Sequence, residues 1–266
     1  MEAYWSGEQL YGDDFSPQEI ERWYADEKEG YADLISGENI PYRYHYHEVN
    51  KKYGFNYLPP KSYGRVLGIG SAYGEEFVPI LSCIGQLFIL EPSDVLSRSF
   101  VGGIQPRYVT PHESGQMDFP SDFFDLIVCF DTLHHIPNVS YVLSEAYRCL
   151  KKGGYFLIKE PVGSMGDLRH PRPGLTKRER GIPYRFFLQV FDKLGFNILH
   201  QSTFFTMTSF LERKTRNLFS KPIFSYRSYL WFDQALSWIF RRNLVYHPRN
   251  RWQRIGPSSA FFVLSK

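Results

Sequence analysis

Cysteine is scarce in this 266-residue chain: there are three, Cys83, Cys129 and Cys149, each in an apolar stretch. An odd, scattered set argues against a disulfide frame or a cysteine-built metal cluster, and fits reduced core thiols in a cytosolic protein. No apolar run reaches the roughly 18 residues that a membrane-spanning helix needs. The opening MEAYWSGEQLYGDD has no basic segment leading into an apolar one, so no secretory leader is expected. A formal net charge of +3 is too small to argue for a nucleic-acid partner. His45 and His47 stand two apart, unlike ligands on one helical face, so no metal site is expected. Internal repeats and low-complexity tracts are also missing.

Aromatic residues are abundant, at 18% of the chain, and gather in the first 60 residues and beyond Phe186. Ser16-Pro17-Gln18-Glu19 reads as a capping box with proline at the first helical position. Ile20, Trp23, Tyr24 and Tyr31 recur at helical spacing up to a stop at Gly30. A second helix is predicted over 42–53, ending at Gly54, with GFNYLPP as a linker. Residues 1–60 are thus expected to form a helical, aromatic cap.

From Arg65 onward strands alternate with helices. The strands are VLGI, QLFILE, RYV, FDLIVCF, GYFLIKE and FNILHQS; helices are predicted over 75–83, 139–151 and 182–194. Near-continuous apolar strands alternating with amphipathic helices indicate an α/β fold: a mostly parallel sheet covered on both faces. SSAFFVLSK, at 256–266 with its approach, supplies a seventh strand. The intervening residues 205–255 are too many for a plain loop. Their YLWFDQALSWIFRR stretch is apolar nearly all round, so it is expected to be buried, to lie on a membrane or to meet a partner.

Residues 65–76, RVLGIGSAYGEE, carry the strongest chemical signal. A short strand runs through Gly68, Gly70 and Gly74 toward a helix, so a ligand can approach backbone N–H groups without meeting a Cβ. About 20 residues further on, the next strand ends in Glu91, where a carboxylate can accept both hydroxyls of a ribose. The fourth strand ends in Asp131-Thr132-Leu133-His134-His135 and the fifth in Lys159-Glu160-Pro161.

Together VLGIGSAYG, FILEPS, FPSDFFDLIVCFDTLHHIPN and RCLKKGGYFLIKEP resemble the successive motifs of class I S-adenosylmethionine-dependent methyltransferases of the broad type 11 group. The likeness spans residues 61–204 plus the final strand. It implies a Rossmann-like seven-stranded sheet with an antiparallel last strand, and S-adenosyl-L-methionine as cofactor. It also implies that Gly68, Ile69, Gly70, Ser71 and Gly74 wrap the methionine part, that Glu91 holds the ribose and that Pro92 lies near the adenine. Glu113 with Ser114 matches the acidic position that meets the adenine amino group, while Phe130 and Asp131 line the sulfonium side. His134, His135 and Asp131 are the candidate bases, with Glu160 as a rival. Two positions depart from the pattern. Gly68 stands where the family usually has an acid, and Ala72 where it has glycine. A binding subunit that kept the fold and lost turnover is therefore the non-enzyme alternative.

The segment after the fifth strand is dense in cations, and Arg169, His170, Arg172, Lys177 and Arg178 are the candidate substrate-binding residues for an anionic acceptor. NLVYHPRNRWQRIGPSSAFFVLSK is similar to the ends of methyltransferases that accompany bacterial surface-glycan synthesis. The expected activity is O-methylation of a saccharide, or of a lipid- or nucleotide-linked sugar. The alternative acceptor is an aromatic or quinone-like small molecule. Nucleic acid is not expected, because the NPPY- or DPPY-like tetrad of amino-base enzymes is missing. The basic, aromatic residues 206–254 are expected to form a peripheral membrane contact or a homodimer surface.

Overall fold

The branched and aromatic runs form seven strands: β1 (Tyr63–Ile69), β2 (Ile84–Leu90), β3 (Arg107–Val109), β4 (Phe124–Phe130), β5 (Leu150–Pro161), β6 (Asn197–Phe204) and β7 (Ser259–Ser265). The computed structural model describes residues 2–36, 43–170 and 172–266. The strands make one sheet in the order β3-β2-β1-β4-β5-β7-β6. β1 to β5 pair in parallel, whereas β7 is antiparallel to both β5 and β6. The expected Rossmann-like, mostly parallel architecture with a reversed last strand is what forms. Strand order reverses between β1 and β4, which opens a crevice at their carboxyl ends.

Side chains alternate between two cores. Ile127 and Cys129 of β4 join one cluster with Leu143 and Ala146 of α4 (Val139–Cys149) and Phe187 and Phe191 of α5 (Tyr184–Leu194), while Leu126, Val128 and Phe130 face the other. Val49 and Tyr53 of α3 (His47–Tyr53) and Leu230 of α7 (Arg227–Ile239) close that second face. Phe262 of β7 packs against Tyr184, Phe187 and Phe191, and fully burying such a ring contributes about 1.5–3 kcal/mol.

Several local expectations are corrected. Half of the capping box forms, with the Glu19 carboxylate accepting from the Ser16 N–H at 2.9 Å and from its hydroxyl at 2.7 Å, but α2 (Pro17–Ser36) runs on past Gly30. One interior glycine costs a helix only about 1 kcal/mol, too little to end it. α3 begins at His47; Tyr42, where the second helix was expected to start, lies outside the described residues. Glu75–Cys83 is a 3-10 helix, because Pro79 lacks an N–H and crowds the preceding turn. Leu150 and Lys151 belong to β5 instead of α4, and α5 starts only after Pro183. Finally, α7 is two-faced: Leu230, Asp233 and Ser237 are buried, whereas Trp231, Phe232, Trp238 and Ile239 are exposed.

Candidate active site

The glycine turn sits at the switch point. Gly70 N–H donates to the Leu90 carbonyl at 2.8 Å, tying the end of β1 to β2. Gly70 has φ +63°, and a Cβ there would lie 2.3 Å from the Thr132 methyl, so only glycine fits. Ala72 is held in the left-handed region at φ +42°, a conformation that costs a residue with a Cβ about 1–2 kcal/mol. The Glu91 carboxylate and the Tyr108 hydroxyl hold it there: Ala72 N–H donates to Glu91 Oε2 at 3.0 Å, and Tyr108 donates to the Ala72 carbonyl at 2.9 Å. Gly74, at φ +69°, closes the turn by donating to the Ser71 carbonyl at 2.7 Å. Tyr73 lies against the Arg98 guanidinium.

Glu91 is only 8% exposed. Burial raises its pKa, against the pull of two backbone N–H groups, Ser93 on Oε1 and Ala72 on Oε2. Each oxygen keeps a second lone-pair direction, so the pair can accept from a vicinal diol. Pro92 is exposed beside it, and Ile69 is in the core. Glu113 and Ser114 are on the exposed loop before β4, which Asn138 anchors by donating to the Ser114 carbonyl at 2.7 Å. Phe130 packs on Phe55 and Phe261.

The ends of β4 and β5 separate the candidate bases. Asp131, at φ +53°, pairs with Lys159 at 2.8 Å; its side chain is 41% exposed, while that of Lys159 is 1% exposed. The ammonium lies 4.0 Å from the centre of the Tyr46 ring. His134 is buried, with Nδ1 2.7 Å from Glu160 Oε2 and Nε2 3.6 Å from Glu179 Oε1. Glu160 Oε1 also accepts the N–H groups of Thr132 and Leu133, at 2.8 and 2.7 Å. His135 Nδ1 meets Glu27 Oε2 at 2.7 Å. Imidazole and carboxylate atoms of His134, His135 and Glu179 fall within 4.8 Å of one another. The upward shift of the His134 pKa, toward an imidazolium with no lone pair to give, opposes a metal there.

That shift has a measurable consequence. Burial, the largest single influence, disfavours the His134 imidazolium, but Glu160, Asp131 and Glu179 together outweigh it and the pKa rises above 6.5. The stabilisation is complete below the ordinary value of about 6.5 and is lost as pH rises through the folded value. Melting temperature is expected to decline above about pH 6.5, and His134→Gln to flatten that decline. An unaltered slope in the variant would show that the ring is neutral throughout.

The basic loop spends most of its cations inside the protein. Lys177 and Arg178 pair with Asp26 of α2 at 3.0 and 2.7 Å. Arg172 donates to the carbonyls of Thr176 and Lys177, at 3.0 and 3.2 Å, and to that of Glu179. Arg169 pairs with Asp167 at 2.6 Å, and His170, 3.9 Å from the same carboxylate, is the most exposed of the set. Sequence reasoning missed Arg180 as a key residue. It is fully buried and donates to the carbonyls of Tyr11, Leu133, His134, Ile136 and Pro137, with its guanidinium 4.9 Å from the Trp23 ring centre. Its neighbours in the chain, Lys177 and Arg178, gave no sign of this.

A family profile described as "Methyltransferase domain" matches residues 42–201. The 27-O-demethylrifamycin SV methyltransferase of Amycolatopsis mediterranei (strain S699) is 24% identical over 131 residues, covering 43% of this chain and 47% of that protein. The uncharacterized methyltransferase YcgJ of Bacillus subtilis (strain 168) is 34% identical over 100 residues, covering 35% and 39%. The chain thus spans less than half the length of these curated relatives. Among solved structures, an S-adenosylmethionine-dependent methyltransferase from Mesorhizobium loti superposes with a TM-score of 0.51 at 16% identity, covering 79% of this chain and 94% of that one. At that identity the likeness concerns the fold.

Proposed function

This chain belongs to the methyltransferase-domain family, and from that premise we propose that it transfers a methyl group from S-adenosylmethionine to a hydroxyl of a saccharide, carried on a lipid or a nucleotide. The observation that supports the donor site most directly is the bond between Ala72 N–H and the buried Glu91 carboxylate, which joins the glycine turn to the diol acceptor. The buried Ser71 hydroxyl, which lacks a partner in ordinary hydrogen-bonding geometry, fits a ligand held at this turn. When bound, the cofactor supplies an already activated methyl on a sulfonium.

The protein's task is then mainly positioning and exclusion of water, effects that can supply roughly 7–11 kcal/mol of barrier reduction. Asp131 accepts the proton of the attacking hydroxyl at its carboxylate, which is 41% exposed and meets Lys159 through Oδ2, whereas His134 is buried against Glu160. Tyr44, beside the Lys159–Asp131 pair, offers the sugar an aromatic ring. Arg169 and His170, at the exposed part of the basic loop, face the anionic carrier. The name of the Amycolatopsis relative supports oxygen as the accepting atom.

Residues 206–254 bring the enzyme to a lipid-borne acceptor in this reading. Trp231, Phe232, Trp238 and Ile239 are 54–65% exposed on α7, and Trp252 is 78% exposed. Exposed Arg227, Arg241, Arg242, Arg251 and Arg254 accompany them, a composition suited to an anionic membrane surface. Among the described residues no helix is long and apolar enough to cross a membrane.

Labelled-donor assays on nucleotide-linked sugars, and on lipid-linked sugars in anionic vesicles, test the proposal. Methyl transfer to either class is expected, with Trp231→Ser plus Trp238→Ser slowing only the vesicle-borne acceptor. Transfer solely to aromatic or quinone-like compounds would replace the acceptor assignment. Absence of S-adenosylhomocysteine binding would favour a subunit that has lost turnover.

A further inference from the structure

The glycine turn lacks the acid usual at position 68, and the structure shows why a side chain cannot simply be restored there. A Cβ on Gly68 would lie 2.2 Å from Ser71 Oγ, 2.7 Å from Ser71 Cβ and 2.9 Å from the Phe77 ring. Ser71 has turned inward and fills that space. Its hydroxyl is 5% exposed as a residue and has no partner in hydrogen-bonding geometry.

Eight residues beyond Gly68 the chain carries another carboxylate into the same region. The left-handed Gly74 turns the backbone into the 3-10 helix, whose buried residues are Glu76 and Phe77. Glu76 is 5% exposed, and among the described residues no cation lies within ion-pair distance of it. Burial pushes its pKa up to about 7, opposed by the donor groups of Ser71 and of its own backbone N–H and by Lys159, while Asp131 adds to the rise. A buried carboxyl without an ion pair normally costs stability. The Ser71 hydroxyl and the Glu76 N–H, which both pull that pKa down, occupy at most two of the carboxylate's roughly four acceptor positions, and the others remain for a donor from outside the chain. A primary ammonium, with three N–H donors and one charge, matches those positions.

We propose that Glu76, aided by Ser71, binds the α-ammonium of the cofactor's amino-acid end in place of the acid missing at position 68. The assignment rests on the donor reading above. Ser71 and Gly68 are coupled by contact, so the loss of one carboxylate and the inward turn of the serine are a single rearrangement. Glu76 is thus a binding residue.

Two probes separate this role from a structural one: S-adenosylhomocysteine, which carries the ammonium, and 5′-methylthioadenosine, which lacks the whole amino-acid end. By calorimetry, Glu76→Gln is expected to weaken S-adenosylhomocysteine about 10- to 100-fold, as for loss of a charge-assisted hydrogen bond, and to leave methylthioadenosine unchanged. Ser71→Ala should give the same pattern with a loss of about 3- to 10-fold, and serves if the first variant does not fold. Equal weakening of both probes, or no change in either, overturns the role of Glu76. Failure of the unaltered protein to bind either probe overturns the donor reading itself.

Discussion

Glu91→Ala should abolish measurable S-adenosylhomocysteine binding, lowering affinity by a factor of about 100 or more. Two losses combine. The diol loses a carboxylate that would accept two hydrogen bonds, and the Ala72 N–H loses the acceptor that holds it in a strained left-handed conformation at φ +42°. Folding should survive, because burial already raises the pKa of this carboxyl and its removal relieves that penalty. Glu91→Gln keeps the shape and one acceptor oxygen, so an intermediate loss of about 10-fold is expected. Calorimetric affinity within threefold of the unaltered protein in Glu91→Ala would sink the cofactor assignment.

The largest effect on stability is expected at Arg180. Its guanidinium is fully buried and serves five carbonyls, from Tyr11 near the N-terminus and from Leu133, His134, Ile136 and Pro137 after β4. Arg180→Ala leaves those acceptors without their donor and opens a cavity beneath Trp23, at a cost of about 3–5 kcal/mol. Burial lowers the pKa of Arg180 to about 10, so it remains charged at neutral pH. Arg180→Lys should recover little, since a point-like ammonium cannot reproduce the fork that spans the two segments. Chemical denaturation reads the loss directly, and limited proteolysis should show the region of α2 cut first. A loss below about 1 kcal/mol would mean that water replaces the guanidinium without penalty.

How much of this was legible in the residues follows from what each signal depends on. Glycine spacing, the acid about 20 residues later and the apolar strands are properties of neighbouring residues. They located Gly70, Gly74 and Glu91 correctly in the turn and at the strand end. The capping box at Ser16 was equally local, and its carboxylate half forms. Charge was a poorer guide. Lys177 and Arg178 read as an open anion site, yet Asp26, some 150 positions earlier, already pairs with them. Arg180, two residues further along, carries the same charge and is interior. Nothing in the run KRER distinguishes a solvated cation from a buried one, because the carbonyls that pay for its burial come from remote segments.

Residue order alone determined the α/β class, the turn at the end of β1 and the carboxylate ending β2, since hydrophobic period and glycine conformational freedom act over a few positions. Tertiary structure alone decided which charges are spent internally, which face of α7 stays bare and that Glu76 is buried beside Ser71. Burial and pairing depend on distances between segments far apart in the chain, and desolvation converts those distances into energy.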